Sequence, residues 1–265
     1  MISFLFNFVF GWQSAFAFPP SEAFDIAISE FNKDAQFSLP KLTEAQIAKL
    51  QTGKVVTHIE KRQNKPGRAI GMLLTDTDIP TLWTAYRDLH FQQQKSTTEF
   101  LLHRTGVDVE TWYGYMELPW PVNDRHWIVT SWSNHELARA TQNQHWERAW
   151  KLNEISHAQV PNQVKDISLP SFIEMESAIY TPVNEGAWAM LTIVDKTLLV
   201  YHASTVIGGN IPDNVVAQFI VSTVDEMLMD IHDRARKNIK IHYRAPHSFI
   251  YGGDGMPIAP FENNP

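Results

Sequence analysis

Few residues in this chain have the type and spacing that chemistry requires, and each fits a modest role. Glu117 closes an alternating run, Tyr113-Gly114-Tyr115-Met116-Glu117. Carried into an apolar interior, its carboxylate would need a partner or a raised pKa; at a strand end it would pair with Arg125. The 11 histidines include His126, His135, His145 and His157, scattered without H-x-x-x-H or H-E-x-x-H spacing. No metal site and no cofactor are therefore expected. Ser131 and Ser204 lie outside any G-x-S-x-G context, and the chain has no cysteine, so no nucleophile is singled out. Gly208-Gly209 lacks the Lys-Ser/Thr of a phosphate loop and reads as a flexible turn, a candidate lid hinge. A non-enzymatic protein is the expectation.

The elements that would position such residues centre on one long helix near the C-terminus. Pro212 suits a first helical turn, Asp213 complements its positive end, and Arg234, Arg236 and Lys237 complement the other. Phe219, Ile220, Thr223, Val224, Met227, Leu228 and Ile231 recur at helical spacing over a broad apolar face. Upstream, residues 21–32 and 42–51 read as helices, the second with a Thr43/Gln46 capping box. Residues 55–61 and 69–74 read as strands. Asp78 and Pro80 open another helix with Leu82, Trp83, Tyr86 and Leu89 on one face. Strands are then expected at 100–104, 111–118, 126–134, 146–155, 172–180, 187–194 and 198–204 with no helix between them. Short polar connections favour an antiparallel meander over a βαβ layout. The fold class that follows is α+β, a curved antiparallel sheet wrapped around the long helix.

Composition limits the partners. The formal net charge is −7, with no basic run, so no nucleic-acid surface is expected. Nine Trp and 15 Phe can build a large core or an apolar cavity. Residues 2–9 are mostly apolar, too short a run for the ~20 residues of a bilayer span, and Ala15-Phe16-Ala17 has the form of a signal-peptidase site. No Lys or Arg precedes that run. The segment 1–17 is read as a signal peptide, giving a periplasmic or secreted protein, or a cytoplasmic one if the segment is not cleaved. An N-terminal extension at 18–41, a main domain at 42–239 and an irregular surface tail at 240–265 complete the division.

Three stretches together resemble the START lipid-binding domains of the helix-grip superfamily. They are Glu117-Leu118-Pro119-Trp120-Pro121-Val122-Asn123-Asp124-Arg125-His126-Trp127-Ile128-Val129, then Gly186-Ala187-Trp188 with Thr197-Leu198-Leu199-Val200-Tyr201-His202, and Gly209-Asn210-Ile211-Pro212. Some sterol-binding members carry a buried Arg further along the strand of the signature Arg. Here that place is Ser131, so the resemblance implies no charge pair in the pocket. It does imply a cavity lined by Tyr113, Tyr115 and Glu117 on one strand, Trp127, Val129 and Ser131 on the next, and Tyr201 and Ala203 later. Phe219, Thr223 and Met227 of the helix would close it. The implied function is binding, transfer or sensing of a hydrophobic ligand (phospholipid, fatty acid or sterol-like) with transient membrane contact. The alternative is a polyketide cyclase- or aromatase-like enzyme on the same fold.

Overall fold

The computed structural model describes residues 18–63, 66–88, 98–206, 208–209, 213–237 and 239–261, with backbone alone for 213–222 and 240. The segment 1–17, Leu89, Asn210, Ile211 and Pro212 lie outside the described residues, as does the side chain of Phe219. Two helices come first, α1 (Ser21–Asp34) and α2 (Glu44–Gln51). The capping box forms: Thr43 accepts from the Gln46 N–H, and the Gln46 side chain accepts from the Thr43 N–H at 2.8 Å. Strands β1 (Val56–Glu60) and β2 (Arg68–Thr75) follow, then α3 (Ile79–Arg87), capped by Asp78 on the Thr81 N–H at 2.9 Å.

Next come β3 (Thr98–Thr105), β4 (Val109–Met116), β5 (Arg125–Ser133), α4 (His135–Ala140), β6 (His145–Leu152), α5 (Val160–Val164) and β7 (Ile179–Tyr180). The chain finishes with β8 (Val183–Ile193), β9 (Lys196–Val206), α6 (Asp213–Lys237), α7 (Ile239–His242) and the pair β10 (Ile250–Tyr251) and β11 (Pro257–Ile258). Along the main sheet the order is β1-β2-β9-β8-β6-β5-β4-β3, antiparallel throughout, with β7 joined in parallel to β5. The meander is therefore present, and the early hairpin is added beside the last strand.

Two sequence expectations differ. Residues 172–180 form turns, and only β7 pairs. Short helices α4 and α5 do interrupt the strands, α4 capped by Asn134.

The α6 helix lies against β1, β2 and β9 beside α3. Gly71 on β2 allows that approach: a Cβ there would come within 2.0 Å of Val224 Cγ1. Leu73, Leu199, Val224, Leu228 and Ile231 fill this contact. The tail is part of the same core rather than a surface strap: Tyr243 and Ile250 are buried in it, and Trp83 Nε1 donates to the Tyr251 carbonyl at 2.9 Å. On the opposite, convex face, Phe24, Phe31 and Leu50 of α1 and α2 pack on Ile70, Met72 and Leu198. Both faces of the sheet are thus covered.

Candidate functional site

Register assigns the face turned toward α6. Gly71 pairs with Tyr201 and Tyr201 with Trp188; Trp188 pairs with Arg148. Trp150 pairs with Ser131, Ser131 with Glu110, Val129 with Trp112 and Trp127 with Gly114. These residues share one face, because side chains of directly paired residues project to the same side.

Two indoles on this face lie across glycines of a neighbouring strand. A Cβ on Gly114 would meet Trp127 Cε2 at 2.2 Å, and one on Gly186 would meet Trp150 Cζ2 at 2.5 Å. The rings therefore lie flat on the sheet instead of standing into the space above it. Tyr201 stacks on Trp150 at a centroid distance of 5.6 Å and meets Trp188 at 4.7 Å; Tyr86 of α3 meets Trp188 at 5.1 Å. Trp112, Trp150, Tyr201, Tyr86, Thr223 and Met227 are only half-buried.

Glu99, paired with Gly114, shares that face. It keeps accessible area, yet burial pushes its carboxyl up. Burial, with Glu99 and Tyr86 adding, likewise pushes the Tyr201 phenol up.

One end of the face is charged. Arg148 and Glu110, each only 1 % exposed, bond through Nη2 and Oε2 at 2.8 Å. Arg87 at the end of α3 and Arg104 on β3 also donate to Glu110. Arg148 further donates to Ser131 Oγ at 2.8 Å and to the Asp108 carbonyl at 2.7 Å. Burial alone would raise the Glu110 carboxyl. The Arg87 hydrogen bonds and the three guanidinium charges outweigh it and hold the group at about 2. Arg104 faces inward because β3 carries a bulge: Leu101 pairs with Trp112 but His103 with Thr111, leaving Leu102 extra.

At the other end, Arg125 is buried and donates to the carbonyls of Asn123, Asp124 and Gly208, the last at 2.9 Å. Gly208 and Gly209 both take positive φ, +70° and +72°, a conformation that suits glycine. Trp120, in the loop between β4 and β5, is 93 % exposed.

The sequence-predicted residues divide between the two faces. Trp127, Val129, Ser131, Tyr201 and Ala203 face inward; Thr223 and Met227 of α6 are half-buried, and Met227 packs on the cluster that holds Trp188 and Tyr201. Tyr113 and Tyr115 do not join them. They lie on the convex face, packed with Ile128, Val160, Val164 and Ala178 under the segment 153–180. Glu117 is exposed, beyond the end of β4. The charge pair absent from the sequence expectation exists, supplied by Glu110 and Arg148, and Arg148 rests on Ser131. No single stretch announces it, since its members come from α3, β3, β4 and β6. Among the described residues no three His, Asp or Glu side chains converge as a metal site.

No family model and no curated protein matches the chain. Solved structures do. A STAR-related lipid transfer protein from Xanthomonas axonopodis is 16 % identical with a TM-score of 0.51, covering 76 % of this chain and 98 % of that one. Human STARD10 is 11 % identical with a TM-score of 0.50, covering 69 % and 70 %. The fold is START-like. At these identities the likeness concerns the backbone: the START-like sheet and its gripped helix account for the element order, and the side chains of the site have to be read from this chain alone.

Proposed function

We propose that the chain binds a lipid-like amphiphile between the START-like sheet and α6 and carries or senses it. The observation that carries this reading is the pair of indoles lying flat over Gly114 and Gly186, part of an aromatic floor in which Trp112, Trp150 and Tyr201 are only half-buried. Such a floor shields acyl or ring carbons, and the charged end supplies the few polar contacts that fix orientation. Each CH₂ held there avoids about 0.8 kcal/mol of exposure to water. The exposed Trp120, an amphipathic ring suited to the headgroup layer, would bring the mouth to a membrane. Export of the protein after loss of residues 1–17 fits this role, and mass spectrometry of the mature N-terminus tests it.

The test of binding is Thr223→Trp, which fills the space opposite the floor. Lost binding of a fluorescent lipid with an unchanged melting temperature is the expected result. A parent protein that binds no lipid and a variant that melts much lower would show a packed core and end the reading. One observation favours a second reading, a cyclase-like enzyme: Glu99, its carboxyl pushed up by burial, lies near Tyr86 and Tyr201. That arrangement suits proton transfer to a bound ring. Turnover of a polyketide-type substrate that is lost in Glu99→Gln would support it.

A further inference from the structure

The charged end of the site has more donors than acceptors. Six N–H groups converge on the Glu110 carboxylate: Arg87 Nη1 at 2.8 Å and Nη2 at 3.1 Å, Arg104 Nε at 2.9 Å and Nη2 at 2.6 Å, Arg148 Nη2 at 2.8 Å, and Trp112 Nε1 at 3.3 Å. A carboxylate offers about four lone-pair sites. The neighbouring acid does not relieve the surplus. Asp108 already accepts from the Ser133 N–H at 3.0 Å and faces His135 Nε2 at 3.2 Å; Arg148 Nη1 is 3.9 Å away. Three guanidinium charges thus face two carboxylates.

One donor has no partner among the described residues. Arg87, its side chain 10 % exposed, meets Glu110 end-on through both Nη atoms, and its Nε is buried without a hydrogen bond. A second edge of the planar group is therefore unused, and that edge matches a carboxylate or phosphate. Arg104 is the adjustable neighbour, with a side chain 46 % exposed. Trp112 connects the two regions: its ring belongs to the aromatic floor and its Nε1 points at Glu110.

We propose that the missing acceptor is the headgroup of the ligand, so that the site selects amphiphiles with an anionic headgroup, seated against Arg104 and Arg87 with the chain over Trp112 and Trp127. The proposal rests on the reading of this face as a lipid site and adds the charge of the ligand. Arg104 turns from Glu110 to the incoming anion, Glu110 keeps Arg148, and the surplus positive charge is neutralised.

The test is competition against a fluorescent polyene fatty acid on the full chain. The competitors are hexadecanoate, hexadecyl phosphate, hexadecanol and methyl hexadecanoate, which share a chain and differ in headgroup. Either anion should compete at least about tenfold better than the alcohol and the ester, as a charge-assisted pair requires. Hexadecanoate and hexadecyl phosphate tested side by side distinguish a carboxylate from a phosphate headgroup. Arg104→Gln, at a half-exposed position that folding tolerates, should shrink the gap between anion and alcohol by most of that factor. Equal competition by all four overturns the anionic headgroup and leaves the lipid site standing. Failure of the probe and of every competitor to bind overturns both.

Discussion

Arg125 Nη2 donates to the carbonyl of Gly208 at 2.9 Å, so the strand that follows the exposed Trp120 loop is fastened to the turn that follows β9. The guanidinium also holds the carbonyls of Asn123 and Asp124. A Cβ on Gly209 would lie 3.0 Å from Arg125 Nη2, so the turn sits directly on this side chain. One buried cation thereby joins two segments at this end of the face. Arg125→Gln should raise hydrogen exchange at 206–209 and speed both uptake and release of ligand, while costing about 2 kcal/mol of stability. Exchange there that matches the parent would mean that other contacts hold the turn.

Gly71→Ala tests the seat of α6. The added methyl would fall 2.0 Å from Val224 Cγ1 and 3.0 Å from Leu228 Cδ1. Overpacking of this kind costs about 1–3 kcal/mol. Val224→Ala in the same chain should restore part of the loss, and a pair of additive effects in thermal melts would contradict the contact.

Trp120→Ser should leave the melting temperature unchanged, because the ring is exposed, and should reduce association with zwitterionic vesicles severalfold in a sedimentation assay. Equal sedimentation of parent and variant would show that another surface meets the membrane.

Acid should weaken the fold through histidines of the convex face. Burial, then the neighbouring His157, lowers His126 to about 4, and burial, with Arg68 and Arg62, lowers His202 to about 3. Both stay neutral when folded, whereas an unfolded histidine takes its proton near 6.5. The unfolded chain therefore binds more protons once pH falls below that value, and stability drops by up to about 1.4 kcal/mol per pH unit for each group. The loss should level off below the folded pKa values. Melts from pH 7 to pH 4 check this, and His126→Phe should flatten the slope. An unchanged slope would mean that His126 is accessible to protons in the native state.

The local parts of this molecule are legible in the sequence because their causes are local. Thr43 and Gln46 cap α2 within one turn, and Asp78 caps α3 in the same way. The run from Phe219 to Ile231 falls within a helix gripped by an antiparallel sheet. The faces of β4 are a different matter. Glu110, Trp112 and Gly114 alternate with Thr111, Tyr113 and Tyr115, and aromatic rings occur on both sides. Since the sheet is covered on both faces, no polar alternation marks the inner one. The available clue is Gly114, a gap on which Trp127 rests. The charged end is harder still. Glu110 collects Arg87, Arg104 and Arg148 from three other elements, and only the assembled fold brings them together.

The extra residue Leu102 also determines how this chain can be compared with others. Counted in steps of two from Glu99 and Leu101, the next inward position would be His103; the bulge shifts it to Arg104. An alignment without a one-residue gap would therefore match an imidazole to a guanidinium and give the wrong charge for the site. Loss of the Leu102 codon would straighten the strand and leave Arg104 as its next inward residue, opposite Glu110. Chains of this fold are thus best sorted by the parity of this strand before their pocket residues are compared.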